Sequence, residues 1–180
     1  MRAVIDACVL YPSVMRQIVL GVAQAGLMTP IWSDRLLGEW VRTAARHGGS
    51  ADEALAQGDV AALGLAFPAA RIMPDPALQA RLWLPDSGDV HVLATAITAR
   101  ADKIVTLNLR DFPRAELSAH GIAAIHPDAL LYALWIEQPR ILGDVVAGVH
   151  ARAEHLSGAV LPQRALLKRA RLPRLAKALG

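Results

Sequence analysis

The chain has 180 residues, a length that fits one domain with at most a short appendage. Hydrophobic residues make up 54% of it, which excludes extensive disorder, and its single cysteine, Cys8, excludes a disulfide framework and a cysteine-rich zinc site. The net charge of +3 is unevenly placed, because residues 140–180 carry eight basic and two acidic residues while the remainder has a net charge of −3.

Strand and helix patterns alternate over the first three quarters of the chain. Strands are predicted over residues 2–6, 28–32, 70–73, 103–107 and 122–125. Helices are predicted over residues 14–25, 34–47, 50–67, 88–100, 113–120 and 127–137, with a weak helix through 78–82. The third helix opens on a capping box, Ser50 to Glu53, and has a candidate break at Gly58. This alternation predicts an α/β fold with a mostly parallel sheet covered on both faces.

Pro139 ends the alternation, and only helical patterns follow it. We therefore divide the chain into a domain of residues 1–138 and a basic helical C-terminal extension of residues 139–180. An acidic body with a basic tail suits a protein that binds metal in one place and a polyanion in another. A docking tail for an acidic protein, or a solvated helix, has the same composition. Leucines recur through the tail and are expected to pack on the body or on a second subunit of a homodimer.

The sequence predicts a cytoplasmic protein with no membrane association. No signal peptide opens the chain, since the acidic residue Asp6 already follows the first apolar residues. The apolar stretch of residues 122–136 is interrupted at His126, Pro127 and Asp128, too soon for it to span a bilayer.

Acidic side chains follow or precede the predicted strands in a pattern typical of a metal site. Asp6 follows the first strand, Asp86 and Asp89 open a helix, and Asp111 follows the strand of residues 103–107. In a parallel sheet these turns share the edge at which open α/β proteins bind ligands. Carboxylates gathered there repel one another unless a cation neutralises them, and Mg²⁺ or Mn²⁺ is the natural candidate.

Each acid also has a structural interpretation. Asp6 is the hardest to explain as a cap, because the next predicted helix begins beyond Pro12. Asp86 suits an N-cap, whereas Asp89 shares a helix face with Val92 and its apolar neighbours and is expected to point toward the sheet edge.

The remaining candidates are weaker when taken one at a time. Glu39 is an ordinary boundary residue of its helix, Asp111 can cap the helix beginning at Phe112-Pro113, and Asn108 can form an Asx turn. Cys8 is expected to be a buried, inert thiol. The six histidines lack metal-ligand spacing and are expected on the surface or in turns, with His91 on a different helix face from Asp89.

In this pattern the chain resembles the PIN-domain family, in particular the VapC-like toxins of prokaryotic toxin–antitoxin systems. The likeness covers about residues 1–138. It is carried by four motifs, Val4-Ile5-Asp6, Leu36-Leu37-Gly38-Glu39, the run from Pro85 to Ala96, and the run from Val105 to Pro113. The resemblance implies helices on both sides of a parallel sheet of four or five strands, and ribonuclease activity that depends on Mg²⁺ or Mn²⁺. It also implies RNA as substrate and a cognate antitoxin protein as partner.

Carried over by position, Asp6, Glu39 and Asp89 match the family's metal-binding acids. The fourth place is ambiguous, because Asn108 stands two residues after Thr106 while Asp111 fills the second acidic place of that motif. The resemblance makes Thr106 a support for the acid of the first strand. The family often has a hydroxyl or Asn just after its first Asp. Here Ala7 and Cys8 stand instead, so weaker support for Asp6 is expected.

The sequence thus predicts hydrolysis of RNA phosphodiester bonds, with Asp6, Glu39, Asp89 and Asp111 as catalytic and metal-binding residues. Asp86, Thr106 and Asn108 support them, and Arg110 and Arg114 bind the RNA backbone. One alternative is a receiver-like regulatory module, in which Lys103 is the candidate partner lysine. Another is a module whose pocket has lost activity and only binds a partner.

Overall fold

Four parallel strands form the central sheet, in the order β2-β1-β3-β4. The computed structural model describes residues 1–180. The strands are β1 (Arg2–Ile5), β2 (Thr29–Ile31), β3 (Lys103–Val105) and β4 (Ala123–Ile125). Because they all run in one direction, the residues that follow them lie along one border of the sheet, which we call the carboxyl edge.

Ten α-helices surround this sheet. They are α1 (Ala7–Leu10), α2 (Ser13–Gln24), α3 (Asp34–Ala66), α4 (Pro76–Gln79), α5 (Val90–Thr98), α6 (Arg114–Ser118), α7 (Pro127–Glu137), α8 (Pro139–Ser157), α9 (Gln163–Arg169) and α10 (Pro173–Ala178). From β1 the chain crosses to β2 on one side, and from β2 it crosses back over β1 to β3 on the other side. Since crossovers between parallel strands are right-handed, these opposite directions place α2 and α5 on opposite faces of the sheet. Both faces of the sheet are therefore covered, and Ala3, Val4 and Ile5 have no exposed surface. None of the helices combines the length and apolarity needed to cross a bilayer.

The predicted α/β fold with a parallel sheet is confirmed, and the sheet has four strands. The predicted strand of residues 70–73 was wrong, because this segment makes only an isolated parallel bridge between Arg71 and Trp32. Exposed side chains at Arg71 and Met73 deprive the segment of the two buried faces that stabilise a central strand.

The predicted division of the long helical region is confirmed at one glycine but not at the other. Within α3 the helical geometry is interrupted at Gly49, whose φ of 69° lies in the left-handed region that glycine adopts without steric cost. The helix continues through Gly58 to Ala66, so the predicted break at Gly58 was wrong.

The expectation that no helix begins before Pro12 was also wrong. The single-turn helix α1 starts at Ala7, immediately after Asp6. Asp6 occupies its N-cap position, but the carboxylate makes no hydrogen bond to the helix backbone. As expected, Asp6 is not explained as a helix cap. The reason is the missing hydrogen bond to the helix backbone, and not the absence of a nearby helix.

The C-terminal helices pack against the body rather than extending from it. Leu142, Leu167, Leu172 and Leu175 are buried in the same continuous apolar core as the strands. Helices α8 and α2 approach so closely that a Cβ on Gly21 would lie 2.6 Å from Cγ1 of Val145. The division at residue 139 remains a prediction about domain organisation, and the structure joins the two parts through one core.

Candidate active site

Asp6 stands at the centre of the carboxyl edge, where β1 ends. Its backbone N–H donates to the carbonyl of Val105 at 3.0 Å, which continues the pairing of β1 with β3 by one residue. This places its carboxylate beside Thr106, whose hydroxyl donates to Oδ2 of Asp6 at 2.7 Å. Asp6 is 6% exposed and Thr106 has no exposed surface. The two strand ends thus hold one carboxylate in a nearly dry position.

Cys8 gives the second hydrogen bond to the same oxygen. Its thiol donates to Oδ2 of Asp6 at 3.1 Å, and its sulfur accepts the backbone N–H of Leu107 at 3.3 Å. Burial, and then the charge of Asp6, raise the pKa of this thiol to about 12, so it stays protonated and able to donate. The expectation of a buried, unreactive thiol is confirmed, since its pKa is raised. The expectation of weak support for Asp6 was wrong, because α1 brings Cys8 back against both strand ends.

Asp86 and Asp89 enter the edge from the turn before α5. Oδ1 of Asp86 accepts the N–H of Gly88 at 2.7 Å, so its expected capping role is present in the structure. Asp89 ends the 3₁₀ turn Ser87–Asp89 and makes no capping hydrogen bond. Its pKa is raised to about 6, first by burial and then by the charges of Asp6, Asp86 and Asp111, with a partial opposing effect from His91. The structure therefore brings four carboxylates into one electrostatic cluster.

Asp111 belongs to this cluster and is not a helix cap. It ends the 3₁₀ turn Leu109–Asp111, whereas α6 begins at Arg114 and has Pro113 in its capping position. Nε of the exposed Arg110 lies 3.6 Å from its Oδ1. Asn108 makes no capping hydrogen bond with its side chain, and its backbone N–H donates to the hydroxyl of Thr106 at 3.0 Å. The cap and Asx-turn alternatives are therefore absent from the structure.

Glu39 reaches the site from α3 and is engaged by two basic side chains. Its Oε1 lies 3.0 Å from Nε2 of His91 and 3.2 Å from Nε of Arg35. Burial acts to raise the pKa of Glu39, but His91 and Arg35 together outweigh it and leave that pKa below its usual value. Arg35 also donates to the carbonyl of Gly88 at 3.3 Å, which ties α3 to the turn that carries Asp89.

His91 is a site residue that the sequence analysis missed. The expectation of a surface or turn histidine was wrong, since it is 1% exposed. Its Nε2 approaches Glu39 closely but off the hydrogen-bond axis, so neither ring nitrogen has a well-aligned partner. A signal was present in the sequence, since His91 lies within a mostly apolar run from Val90 to Ala96, and the structure buries all of this run.

The donor set fits a hard divalent cation. Its members are carboxylate oxygens, the ligands that such cations prefer, and their charges add to burial in raising the pKa of Asp89. In the present arrangement of side chains, no three His, Cys, Asp or Glu residues form a group that could hold a metal ion. Metal binding would therefore require a rearrangement of these side chains.

The position of Lys103 bears on the receiver-like alternative. Lys103 begins β3 and pairs in register with Ala3 and Ala123, which places it at the opposite border of the sheet from Asp6. A receiver-like module needs its lysine next to its acids, so this placement argues against that alternative.

Comparison with known proteins gives two matches. The model of a protein family described as PIN domain matches residues 2–110, a span that includes Asp6, Glu39 and Asp89 and ends one residue before Asp111. A segment of 43 residues is 51% identical to the Mycobacterium tuberculosis protein named "Putative ribonuclease VapC50". That match covers 24% of this chain and 25% of the relative. No solved structure matches significantly.

The first prediction concerns Asp89. A raised pKa means that the folded state binds the proton more tightly than the unfolded chain does. The folded state is therefore more stable at low pH, where Asp89 is protonated, and this stability is lost as the pH rises through about 6. We expect Asp89→Asn to raise the thermal midpoint at pH 7 and to leave it unchanged at pH 4, measured by circular dichroism. Asp144→Asn, which removes an exposed carboxylate on α8, is the control. A lower midpoint for Asp89→Asn at pH 7 would contradict the repulsive cluster.

The second prediction concerns Cys8. Cys8→Ala leaves the N–H of Leu107 without its acceptor and removes one donor from Asp6. We expect it to lower the free energy of unfolding by about 1–3 kcal/mol in urea titrations. Cys8→Ser keeps a donor and an acceptor, so its loss in the free energy of unfolding should be less than half of that for Cys8→Ala. Equal stability of Cys8→Ala and the unmodified protein would contradict a stabilising role for the hydrogen bonds of the thiol.

Proposed function

The chain belongs to the PIN-domain family, and from this premise we propose that it is a metal-dependent endoribonuclease, the toxin of a type II toxin–antitoxin pair. One observation carries the proposal: Asp6, Asp86, Asp89 and Asp111 meet at one sheet edge, where the charges of the other three add to the effect of burial in raising the pKa of Asp89. A fold gains no stability from such repulsion, so the cluster is best explained by a ligand of opposite charge. The name of the partial relative supports RNA as the substrate.

Mg²⁺ or Mn²⁺ is the proposed ligand, held by Asp6, Asp89 and Asp111, with Glu39 as a further donor once it turns from Arg35. Such an ion supplies Lewis-acid polarisation of a phosphate and makes a water easier to deprotonate. The donor chemistry, rather than an observed coordination geometry, supports this assignment.

The protein's own contribution is to hold the acids in place before substrate arrives. The hydroxyl of Thr106 and the thiol of Cys8 both donate to Oδ2 of Asp6, which leaves Oδ1 free of these two donors. Because each donor is fixed by a backbone N–H in turn, the carboxylate needs little reorganisation. Asp86 holds the turn of Asp89 in the same way through Gly88.

The proposed reaction is in-line attack of a water on the RNA phosphodiester, with the 3′-oxygen leaving. The products then carry a 5′-phosphate and a 3′-hydroxyl, and no covalent enzyme intermediate forms. Arg110 and Arg114 are exposed just beyond β3 and are the proposed contacts to the neighbouring phosphates. With only 4% aromatic residues, selection among RNAs would depend mainly on their shape.

The antitoxin is the proposed protein partner. A cluster of carboxylates at an open edge is a ready binding site for a basic side chain, which forms charge-assisted hydrogen bonds with them. An inhibitor that inserts an Arg or Lys there would compete with the cation and with RNA at once. This accounts for control of the activity without any change in the fold.

A third prediction tests the reaction directly. Asp6→Asn and Asp89→Asn should each abolish Mg²⁺- or Mn²⁺-dependent cleavage of an unstructured RNA, because each removes a ligand charge. Both should retain the circular dichroism spectrum of the unmodified protein. Asp144→Asn, which removes an exposed carboxylate on α8 that is not among the charges acting on Asp89, should cleave normally. Full activity of Asp6→Asn would remove the central residue from the proposed site.

A fourth prediction decides between Asn108 and Asp111. Since the charge of Asp111 acts on Asp89, we expect Asp111→Asn to reduce cleavage at low Mn²⁺ and to recover in part at excess Mn²⁺. Asn108→Ala should change the Mn²⁺ requirement little, because the contact of Asn108 with Thr106 is made by its backbone. The measurement is the initial rate as a function of Mn²⁺ concentration. The opposite order of effects would assign the fourth ligand to Asn108.

A further inference from the structure

The C-terminal extension presents a set of basic side chains without acidic partners. The exposed basic residues of its last two helices and the turn between them are Arg164, Lys168, Arg169, Arg171, Arg174 and Lys177. None of them takes part in the ion pairs of the structure. Their charges therefore remain free to act on a ligand.

One buried carboxylate fixes part of this set on the body. Asp128, 4% exposed in the first turn of α7, accepts the backbone N–H of Arg174 at 2.9 Å and of Leu175 at 3.1 Å. Leu172 and Leu175 have no exposed surface. The turn from α9 into α10 is thus anchored beside the start of α7, which directly follows β4.

This anchor point lies on the same edge of the sheet as the acids. The N–H of Thr106 donates to the carbonyl of Ile125 at 3.1 Å, as that of Asp6 does to Val105. Asp6, Thr106 and His126 therefore follow three adjacent strands, and the backbones of Asp6 and His126 are two strand spacings, or roughly 10 Å, apart. After burial, the charges of Arg174 and Arg171 help to lower the pKa of His126 against the effect of Asp128, which places both arginines close to it.

We propose that Arg171 and Arg174 form a phosphate-binding site for the RNA strand, on the β4 side of the acidic cluster. The proposal rests on the proposed function for the identity of the polyanion. RNA lying across the carboxyl edge passes from Arg110 and Arg114 after β3 to the two arginines beyond β4. A cation held by the acidic cluster would attract phosphate oxygens, as the arginines do, so RNA is the occupant that suits both parts of this edge.

Arg171 follows α9 with a φ of 59°, a conformation in which helices usually end on glycine. Its side chain has no ion-pair partner, so its charge is available to a ligand.

The test is the salt dependence of RNA binding, measured by fluorescence anisotropy with a labelled, unstructured single-stranded RNA in buffer containing EDTA. The double variant Arg171→Gln/Arg174→Gln removes two phosphate contacts. It should reduce the slope of log affinity against log salt by about 1.4, so that the affinity lost between 50 and 200 mM salt shrinks about sevenfold. The charge-retaining variant Arg171→Lys/Arg174→Lys should keep the original slope, which separates charge from folding.

The matched control is Arg100→Gln/Arg140→Gln. Both residues are exposed and take part in no ion pair of the structure. Arg100 precedes β3 at the opposite border of the sheet, and Arg140 is the second residue of α8, which starts where α7 has run back toward that border. Arg100 has a φ of 50°, so the control also contains an arginine in the left-handed conformation. Its slope should equal that of the unmodified protein.

Equal slopes for the two glutamine double variants would overturn the proposal and would leave the face to an acidic protein partner. Cleavage assays in Mg²⁺ distinguish this from failure of the proposed function. Predicted slopes without metal-dependent cleavage would support the RNA face and reject the nuclease. Metal-dependent cleavage together with equal slopes would support the nuclease and reject RNA binding by Arg171 and Arg174.

Discussion

The hydrogen bond between Asp6 and Thr106 joins residues 100 positions apart, and the candidate site depends on it. It forms because β1 and β3 are adjacent and parallel, in a register that pairs Ile5 with Val105. That register puts the residue after each strand on one edge, at the distance of a side-chain hydrogen bond. A slip of one residue would reverse the faces of β3 and separate the two side chains. The chemistry of the edge is therefore fixed by the core of the sheet.

A cluster of like charges needs an account of why the fold tolerates it. Asp6 is held by two donors, Asp86 by a backbone N–H, and Glu39 by His91 and Arg35. Asp89 makes no capping hydrogen bond, and burial, followed by the charges of Asp6, Asp86 and Asp111, raises its pKa against a partial opposing effect of His91. An edge that gathers carboxylates in this way is typical of a functional site rather than of a structural one.

Periodicity and capping patterns predicted the sheet, most helices and the positions of the acids, because apolar spacing and turn residues act locally. They did not predict α1, because one turn of helix leaves too short a pattern, and that turn determines the role of Cys8. The ring of His91 and the carboxylate of Glu39 meet only through the packing of α5 against α3, which no local signal encodes. At residues 70–73 the local pattern predicted too much: the segment is apolar enough for a strand, but no strand formed because both of its faces could not be covered. The tail leucines were expected to be buried, but only the structure shows that they pack on this chain, with Asp128 as the anchor.

The most direct test of the account is the location of a bound ion. Crystals of the protein grown with Mn²⁺ should be measured at a wavelength where manganese scatters anomalously, so that its position is seen without reference to the model of the side chains. The account predicts an anomalous peak in contact with the carboxylates of Asp6 and Asp89. A fully ordered carboxyl edge without such a peak at saturating Mn²⁺, or with the ion bound elsewhere, would contradict it.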